Sequence, residues 1–269
     1  MSRFGGYEGQ PFLAQLYDFV PAYEERPDLE FYLDFSRVAR GKILELGCGT
    51  GRILIPTARA GAEITGLDIS EYMLAKCREK LQGEPVEVQG RVQLVHGTMA
   101  GFNLNDTFNL VTTPFRSFQH LLSVEEQLAC LRCVNDHLRP GGTLILDLFQ
   151  VDLGILNNPD YAKETEDFSD VNLPNGGKLR RTGRIAAFHR AEQYNDVELI
   201  HYVTHPDGRV ERLVQAFPYR YFFRYEVEHL LARCGFKVVD VFGSYDKSPL
   251  ADDSPEMIFV AEKERNPSQ

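Results

Sequence analysis

The sequence has no run of about 18 apolar residues, the length a helix needs to cross a bilayer, so no membrane partner is expected. Its opening residues, MSRFGGYEGQPF, lack the apolar stretch of a signal peptide, which points to a cytoplasmic protein. Basic residues are in deficit: 29 Lys and Arg stand against 39 Asp and Glu, a formal charge of -10. Such a surface repels phosphate backbones and argues against a nucleic-acid partner. Cysteine is sparse, odd in number and scattered, at positions 48, 77, 130, 133 and 234, which reads as reduced thiols rather than a disulfide framework. Cys130 and Cys133 form a lone CxxC in LACLRCV, a helix-interior pattern that reads as core thiols. Repeats and low-complexity stretches are absent. With 43% hydrophobic and 25% charged residues among 269, the chain can fill one globular α/β core with an elaboration.

What is present is alternation. After an aromatic, acidic segment (residues 11–40) that reads as two short helices broken at Pro21 and Pro27, KILEL reads as a buried strand. RILIPTARAG follows as a helix with Pro56 in its first turn or at a kink, then AEITGLDIS as a strand and SEYMLAKCREKLQ as a helix capped by Ser70. RVQLVHG and FNLVTTPF read as strands, VEEQLACLRCVNDHL as a helix stopped by RPGG, and TLILDLF as a fifth strand. Strand and helix alternating at short intervals imply a doubly wound α/β sheet. Residues 151–175 are polar and turn-rich. From Gly176 to Phe223, polar and apolar residues alternate between turn signals (Asn195-Asp196, Pro206-Asp207-Gly208), as in an antiparallel β insert of about three strands without a helix. RYEVEHLLARCGF then reads as a helix, and KVVDVFGSY and EMIFVAEKE as closing strands. The expected parts are a helical cap (1–40), a cofactor-binding core (41–150), the insert or lid (151–222) and the end of the core sheet (223–269).

ILELGCGTGR carries the chemistry. Gly47, Gly49 and Gly51 let backbone approach a ligand at the end of a strand and present the amides of a helix N-terminus. Two ligands use such a loop, a dinucleotide and S-adenosylmethionine. The dinucleotide fingerprint GxGxxG/A needs a small residue where this chain has Arg52, and the actual pattern is ExGxGxG. Asp68, at the end of the second strand, can accept from ribose hydroxyls and suits either ligand.

ILELGCGTGR, followed by LDIS and Met73, resembles the first motif and acidic loop of class I S-adenosylmethionine-dependent methyltransferases. VHGTMAGFNL, FNLVTTPFRSFQHLL and LRPGGTLILDLF fall where that family has its next three motifs. The resemblance covers residues 17–149 and 224–263. It implies a seven-stranded Rossmann-like sheet with its last strand antiparallel, the cofactor S-adenosyl-L-methionine and the product S-adenosyl-L-homocysteine. By position it places Gly47, Cys48, Gly49, Gly51 and Arg52 around the methionine part of the cofactor and Glu45 beneath them near its amino group. Asp68 falls on the ribose, Ile69 and Met73 on the adenine, and Gly97, Thr98, Met99 and Pro114 along the remaining wall. Thr98 departs from the family's Asp at that place. SFQHL resembles the SxxHL stretch of bacterial sugar N-methyltransferases, which makes His120 a candidate catalytic residue. Tyr17, in LYDFV, resembles the family's YD tyrosine against cofactor or acceptor amine.

The implied function is methyl transfer to a small-molecule acceptor, with an amine nitrogen favoured, an oxygen as the rival and an NAD-dependent oxidoreductase as a weaker alternative. A non-catalytic module that kept the fold is the third class. No metal is expected, since His189, His201 and His205 in the insert match no common ligand spacing. Arg116, Arg220 and Arg224 are candidates for an anionic group or for ordinary ion pairs. The exposed edges of the insert suggest a homodimer formed through it.

Overall fold

The computed structural model describes Tyr7 and Gly9 to Glu264. Along the chain run α1 (Pro11–Leu16), a 3-10 turn (Tyr17–Phe19), α2 (Pro21–Glu24), α3 (Leu29–Ala39) and β1 (Ile43–Leu46). Next come α4 (Leu54–Arg59), β2 (Ile64–Asp68), α5 (Glu71–Gln82), α6 (Val86–Gln89) and β3 (Val92–His96). β4 (Phe108–Thr113) leads through a 3-10 segment (Pro114–His120) to α7 (Val124–His137) and β5 (Leu138–Phe149). After α8 (Leu153–Asn157) come four strands, β6 (Thr165–Asn172), β7 (Lys178–His189), β8 (Tyr194–Thr204) and β9 (Val210–Arg220). α9 (Arg224–Arg233), β10 (Phe236–Phe242) and β11 (Glu256–Lys263) close the chain.

Contacts divide the described chain into two units. The larger spans Pro27–Val151 and continues from Phe222, and its sheet has the order β10-β11-β5-β4-β1-β2-β3. The five strands β1 to β5 are parallel neighbours, and β11 runs antiparallel to both β5 and β10. β1 and β2 are buried along their whole length, which is why they read as near-continuous apolar runs. The core around Phe31, Leu54, Leu74, Leu110, Ile145 and Ile258 binds α3, α4 and α5 to the sheet. Helix starts follow local chemistry. The Ser70 hydroxyl accepts from the Met73 amide, and Ser123 and Glu126 form a capping box on α7. Pro56 is the third residue of α4, where its missing N–H costs nothing.

The smaller unit joins the described residues up to Arg26 to Asp152–Tyr221. Its sheet, β6-β7-β8-β9, is antiparallel throughout. Leu16, Leu179 and Val203, with Phe12 and Phe19 against them, form its apolar cluster.

Several expectations are corrected. The insert has four strands, not about three, and it is preceded by a helix. β6 is exposed over most of its length and shifts register twice against β7, so its alternation is lost from the sequence. α8 is a single short helix started by Asp152, whose carboxylate accepts from the Gly154 and Ile155 amides. The N-terminal segment holds three helices and a 3-10 turn instead of two helices, because Pro21 opens a helix at its first position. RPGG is not a loop ahead of the fifth strand. It lies inside β5 as an irregularity, where pairing with β4 jumps from Phe108–Leu138 to Leu110–Thr143.

Candidate active site

The strand order reverses direction between β4 and β1, and in open α/β sheets a ligand binds at the carboxyl ends of the strands at such a point. The loops after β1 and β4 meet there. Gly47, Gly49 and Gly51 all have positive φ (74°, 54° and 84°). At Gly47 a Cβ would lie 2.7 Å from the Ser117 Cβ, and at Gly51 one would lie 2.7 Å from the Cys77 Sγ. The glycines therefore serve both the turn and the closeness of its neighbours. The loop is tied down from β2: the Gly47 and Cys48 amides donate to the Leu67 carbonyl at 2.7 and 3.2 Å.

Asp68 closes the loop from the other side. Its Oδ2 accepts from the Gly49 amide and its Oδ1 from the Ser70 amide, both at 2.8 Å. A carboxylate oxygen can accept more than one hydrogen bond, the chemistry that a pair of ribose hydroxyls requires. Ile69 follows half-buried, its carbonyl accepting from His96 Nε2 at 2.9 Å. Met73 is buried with its Cε 3.3 Å from the place a Gly49 Cβ would take, and the Met99 Cε lies 3.8 Å from that of Gly47. Gly97 donates to the Asp68 carbonyl at 3.0 Å, and the Thr98 hydroxyl accepts from the Ala100 amide at 3.3 Å. Pro114 is buried at the end of β4. The Cys48 Sγ packs where Gly66 has no side chain, which leaves the Cys48 backbone as the part available to a ligand.

Beneath the loop lies a buried acid. Glu45 is 2% exposed, and its Oε2 has no hydrogen-bond partner among the described residues. Desolvation raises its pKa to about 8. Asp28 and Asp68 push the same way, and only Arg52 opposes them. Arg52 cannot offer Glu45 its full charge, because its guanidinium makes a bidentate pair with the fully buried Asp28, both bonds at 2.6 Å. An uncompensated buried carboxyl under a bare glycine turn fits a cationic amino group carried by a ligand, directly or through water. Glu45, the glycine loop and Asp68 could thus hold the two polar ends of S-adenosylmethionine.

The loop after β4 carries His120. Its Nδ1 is buried, and desolvation lowers the pKa of the ring to about 4, so the imidazole is neutral at physiological pH. Tyr17 lies in the smaller unit. There its ring is 4.8 Å from that of Tyr23 and 6.1 Å from that of Tyr7.

The candidate cations are already engaged. Arg116 holds Glu256, Arg224 holds Glu228, and Arg220 Nη1 donates to the Glu192 carbonyl. The insert histidines are not clustered: His189 pairs with Asp196 and His205 with Glu211, and His201 is buried beside Phe12. Among the described residues no group of three or more His, Cys, Asp or Glu is placed to hold a metal. No described helix is long and apolar enough to cross a membrane.

Sequence reasoning missed Ser117, Asp28 and Asp147. Ser117 begins the SFQHL stretch and donates to the Leu46 carbonyl at 3.0 Å, so a signal for it existed. Asp147, like Glu45, is an acid inside an apolar strand run, which is itself a signal. Asp28, in RPDLE, carries none.

Residues 43–142 match the family described as Methyltransferase domain. The chain is an S-adenosylmethionine-dependent methyltransferase. It is similar to the cypemycin N-terminal methyltransferase of Streptomyces sp, with 28% identity over 82% of this chain and 83% of the relative. A second relative is the dTDP-3-amino-3,6-dideoxy-alpha-D-glucopyranose N,N-dimethyltransferase of Streptomyces fradiae, 31% identical over 52% of this methyltransferase and 54% of that one. In fold it matches the CcbJ methyltransferase of Streptomyces caelestis, with a TM-score of 0.75 at 22% identity, covering 98% of this chain and all (100%) of that one. The nicotinamide alternative falls with the family match, and the cofactor of the methyltransferase is S-adenosylmethionine.

Proposed function

We propose that this methyltransferase transfers its methyl group to an amine nitrogen of a small molecule. The observation that carries this reading is the neutral, desolvated imidazole of His120 in the loop that follows β4. A base whose conjugate acid has a pKa of about 4 is too weak to take a proton from a hydroxyl, for which even a phenol sits near 10. An amine does not need that step. The desolvation that keeps His120 neutral also favours the neutral form of an amine placed beside it. The free lone pair would attack, with His120 accepting a hydrogen bond from the amine N–H to orient it, and the proton of the methylated ammonium would leave to solvent. The printed names of two relatives, one an N-terminal methyltransferase and the other an N,N-dimethyltransferase of an amino-dideoxy sugar, agree with a nitrogen acceptor.

The bound cofactor supplies an activated methyl group with a neutral thioether as leaving group. What this chain supplies is placement. Gly47, Gly49 and Gly51, with the backbone of Cys48, would take the methionine part, and Glu45 would accept from its ammonium. Arg52 acts through its pair with Asp28, which holds the turn behind the glycines. Asp68 would accept from the ribose. Ile69, Met73, Gly97, Thr98, Met99 and Pro114 would enclose the adenine side. Holding acceptor and methyl in line supplies much of the barrier reduction without a metal. Tyr17, whose ring packs with those of Tyr7 and Tyr23 in the smaller unit, stays a candidate on its sequence resemblance alone.

The test is product analysis with methyl-13C S-adenosylmethionine and a panel of small amines and hydroxyl compounds. A labelled N-methyl resonance supports the reading. A labelled O-methyl product with the amines untouched replaces it with oxygen transfer.

A further inference from the structure

Two adjacent non-glycine residues at the mouth of the site adopt the left-handed conformation: Phe115 at φ 55°, ψ 34° and Arg116 at φ 63°, ψ 26°. A residue with a Cβ pays for this geometry, and it persists only where surrounding structure dictates it. Here two buried acids do so, one from each of two neighbouring strands.

The first is Asp147 of β5, fully buried. Its Oδ2 accepts from the Phe115 amide at 3.1 Å, and the same oxygen accepts from the hydroxyls of Tyr245 at 2.8 Å and Tyr32 at 3.2 Å. The tyrosines fix the carboxylate, and the carboxylate fixes the amide. The second is Glu256, at the start of β11 and likewise buried. It accepts from Arg116 Nε at 3.1 Å and from Nη2 at 2.7 and 2.8 Å. The guanidinium also lies 5.7 Å above the Phe149 ring. One strained residue is thus gripped by its backbone and the next by its side chain.

The segment they hold borders the cofactor loop. Immediately after Arg116, Ser117 bonds to the Leu46 carbonyl and presses against Gly47, and three residues further lies His120. We propose that Asp147 and Glu256 are positioning residues that clamp the Phe115–Arg116 backbone in its left-handed turn and so seat Ser117 against the glycine loop. When the clamp is released the loop is free to relax toward ordinary backbone angles. Only the fraction of molecules with Ser117 seated then presents the formed site, and the apparent cofactor affinity falls by that fraction. The inference uses the cofactor alone and is independent of the acceptor atom.

A purely structural ion pair is distinguished by comparing alanine with glycine. Arg116→Ala and Arg116→Gly, each combined with Glu256→Gln, both remove the charge pair. Only glycine also removes the cost of the left-handed backbone. Calorimetric titration with S-adenosylhomocysteine is expected to show the Ala/Gln pair binding on the order of tenfold more weakly than the Gly/Gln pair, with the Gly/Gln pair near the parent chain. Phe115→Ala against Phe115→Gly, each with Asp147→Asn, should show the same order. Melting temperature serves as the control for folding. If a double variant does not fold, Arg116→Ala against Arg116→Gly as single substitutions carries the same comparison. Equal affinity of the alanine and glycine members overturns the clamp and leaves Asp147 and Glu256 as core partners only.

Discussion

Arg52 and Asp28 meet through two parallel hydrogen bonds of 2.6 Å, joining the turn behind the glycines to the residue that precedes α3. The pair ties Arg52 to the segment ahead of α3 and makes it a strut for the turn. Asp28 is fully buried and Arg52 is 18% exposed, so the pair is well shielded from solvent. Breaking such a pair leaves a charge in the interior without compensation. Asp28→Asn is expected to lower unfolding free energy by about 3 kcal/mol, visible as a lower melting temperature. An unchanged melting temperature would mean the pair is not structural.

The Asp68 prediction concerns binding. Asp68→Ala removes the acceptor for the ribose and for the Gly49 amide together. S-adenosylhomocysteine should bind at least about thirtyfold more weakly, roughly 2 kcal/mol. Asp68→Asn keeps one acceptor oxygen and should lose less. Calorimetry that finds parent-like affinity in the alanine variant would remove Asp68 from the site.

Glu45 predicts a pH dependence with opposite signs in two assays. Its pKa is raised by burial from 4.5 to about 8. The folded chain therefore keeps a proton that the unfolded chain releases, and the stability this gives is present below pH 4.5 and lost as pH rises to about 8. Cofactor binding runs the other way. The ammonium calls for an ionised Glu45, so S-adenosylhomocysteine affinity should climb from pH 6 to 8, by at most about tenfold per unit. Glu45→Gln should flatten both curves. A Gln variant whose binding keeps the parent slope would assign the titration to another group.

For His120 the lowered pKa fixes where activity should break. The neutral imidazole prevails at any pH above about 4. On its account kcat/KM should stay level from pH 8 down to about 5 and fall only below. A break near 6.5 would show a solvated ring. His120→Ala should reduce kcat by about a hundredfold or more while S-adenosylhomocysteine affinity holds. Full turnover in that variant would end the catalytic assignment.

The parallel core was legible because its signals are local. Ile43–Leu46 and Ile64–Asp68 are buried on both faces, so nothing interrupts their apolar runs. Ser70 and the glycines of the first loop do their work within a few residues of themselves. β6 was illegible for the opposite reason, since an exposed strand with two register shifts keeps no period of two. In the site, the residues that touch a ligand by position were readable, and those that hold other residues were not. Asp28 gains its meaning from Arg52, and Asp147 from Phe115 and two tyrosines at positions 32 and 245. Around this site such a partnership can span 140 positions, as with Arg116 and Glu256, and no short pattern records it.

Arg181 carries a consequence for how the chain is made. It is buried in the smaller unit, donating to the Tyr23 hydroxyl at 2.7 Å and to Asp167 at 2.6 Å, with its guanidinium 4.8 Å above the Tyr23 ring. Tyr23 is 158 positions ahead of it. At a synthesis rate of roughly 5–20 residues per second, the N-terminal segment emerges many seconds before the sheet that receives it. All five parallel strands are translated in that interval. The smaller unit is thus assembled from the first and one of the later pieces of the nascent chain, and it cannot be completed before Arg181 has left the ribosome. A graft meant to carry this unit into another protein has to bring both pieces, since Asp152–Tyr221 alone would leave Arg181 without the hydroxyl and ring of Tyr23.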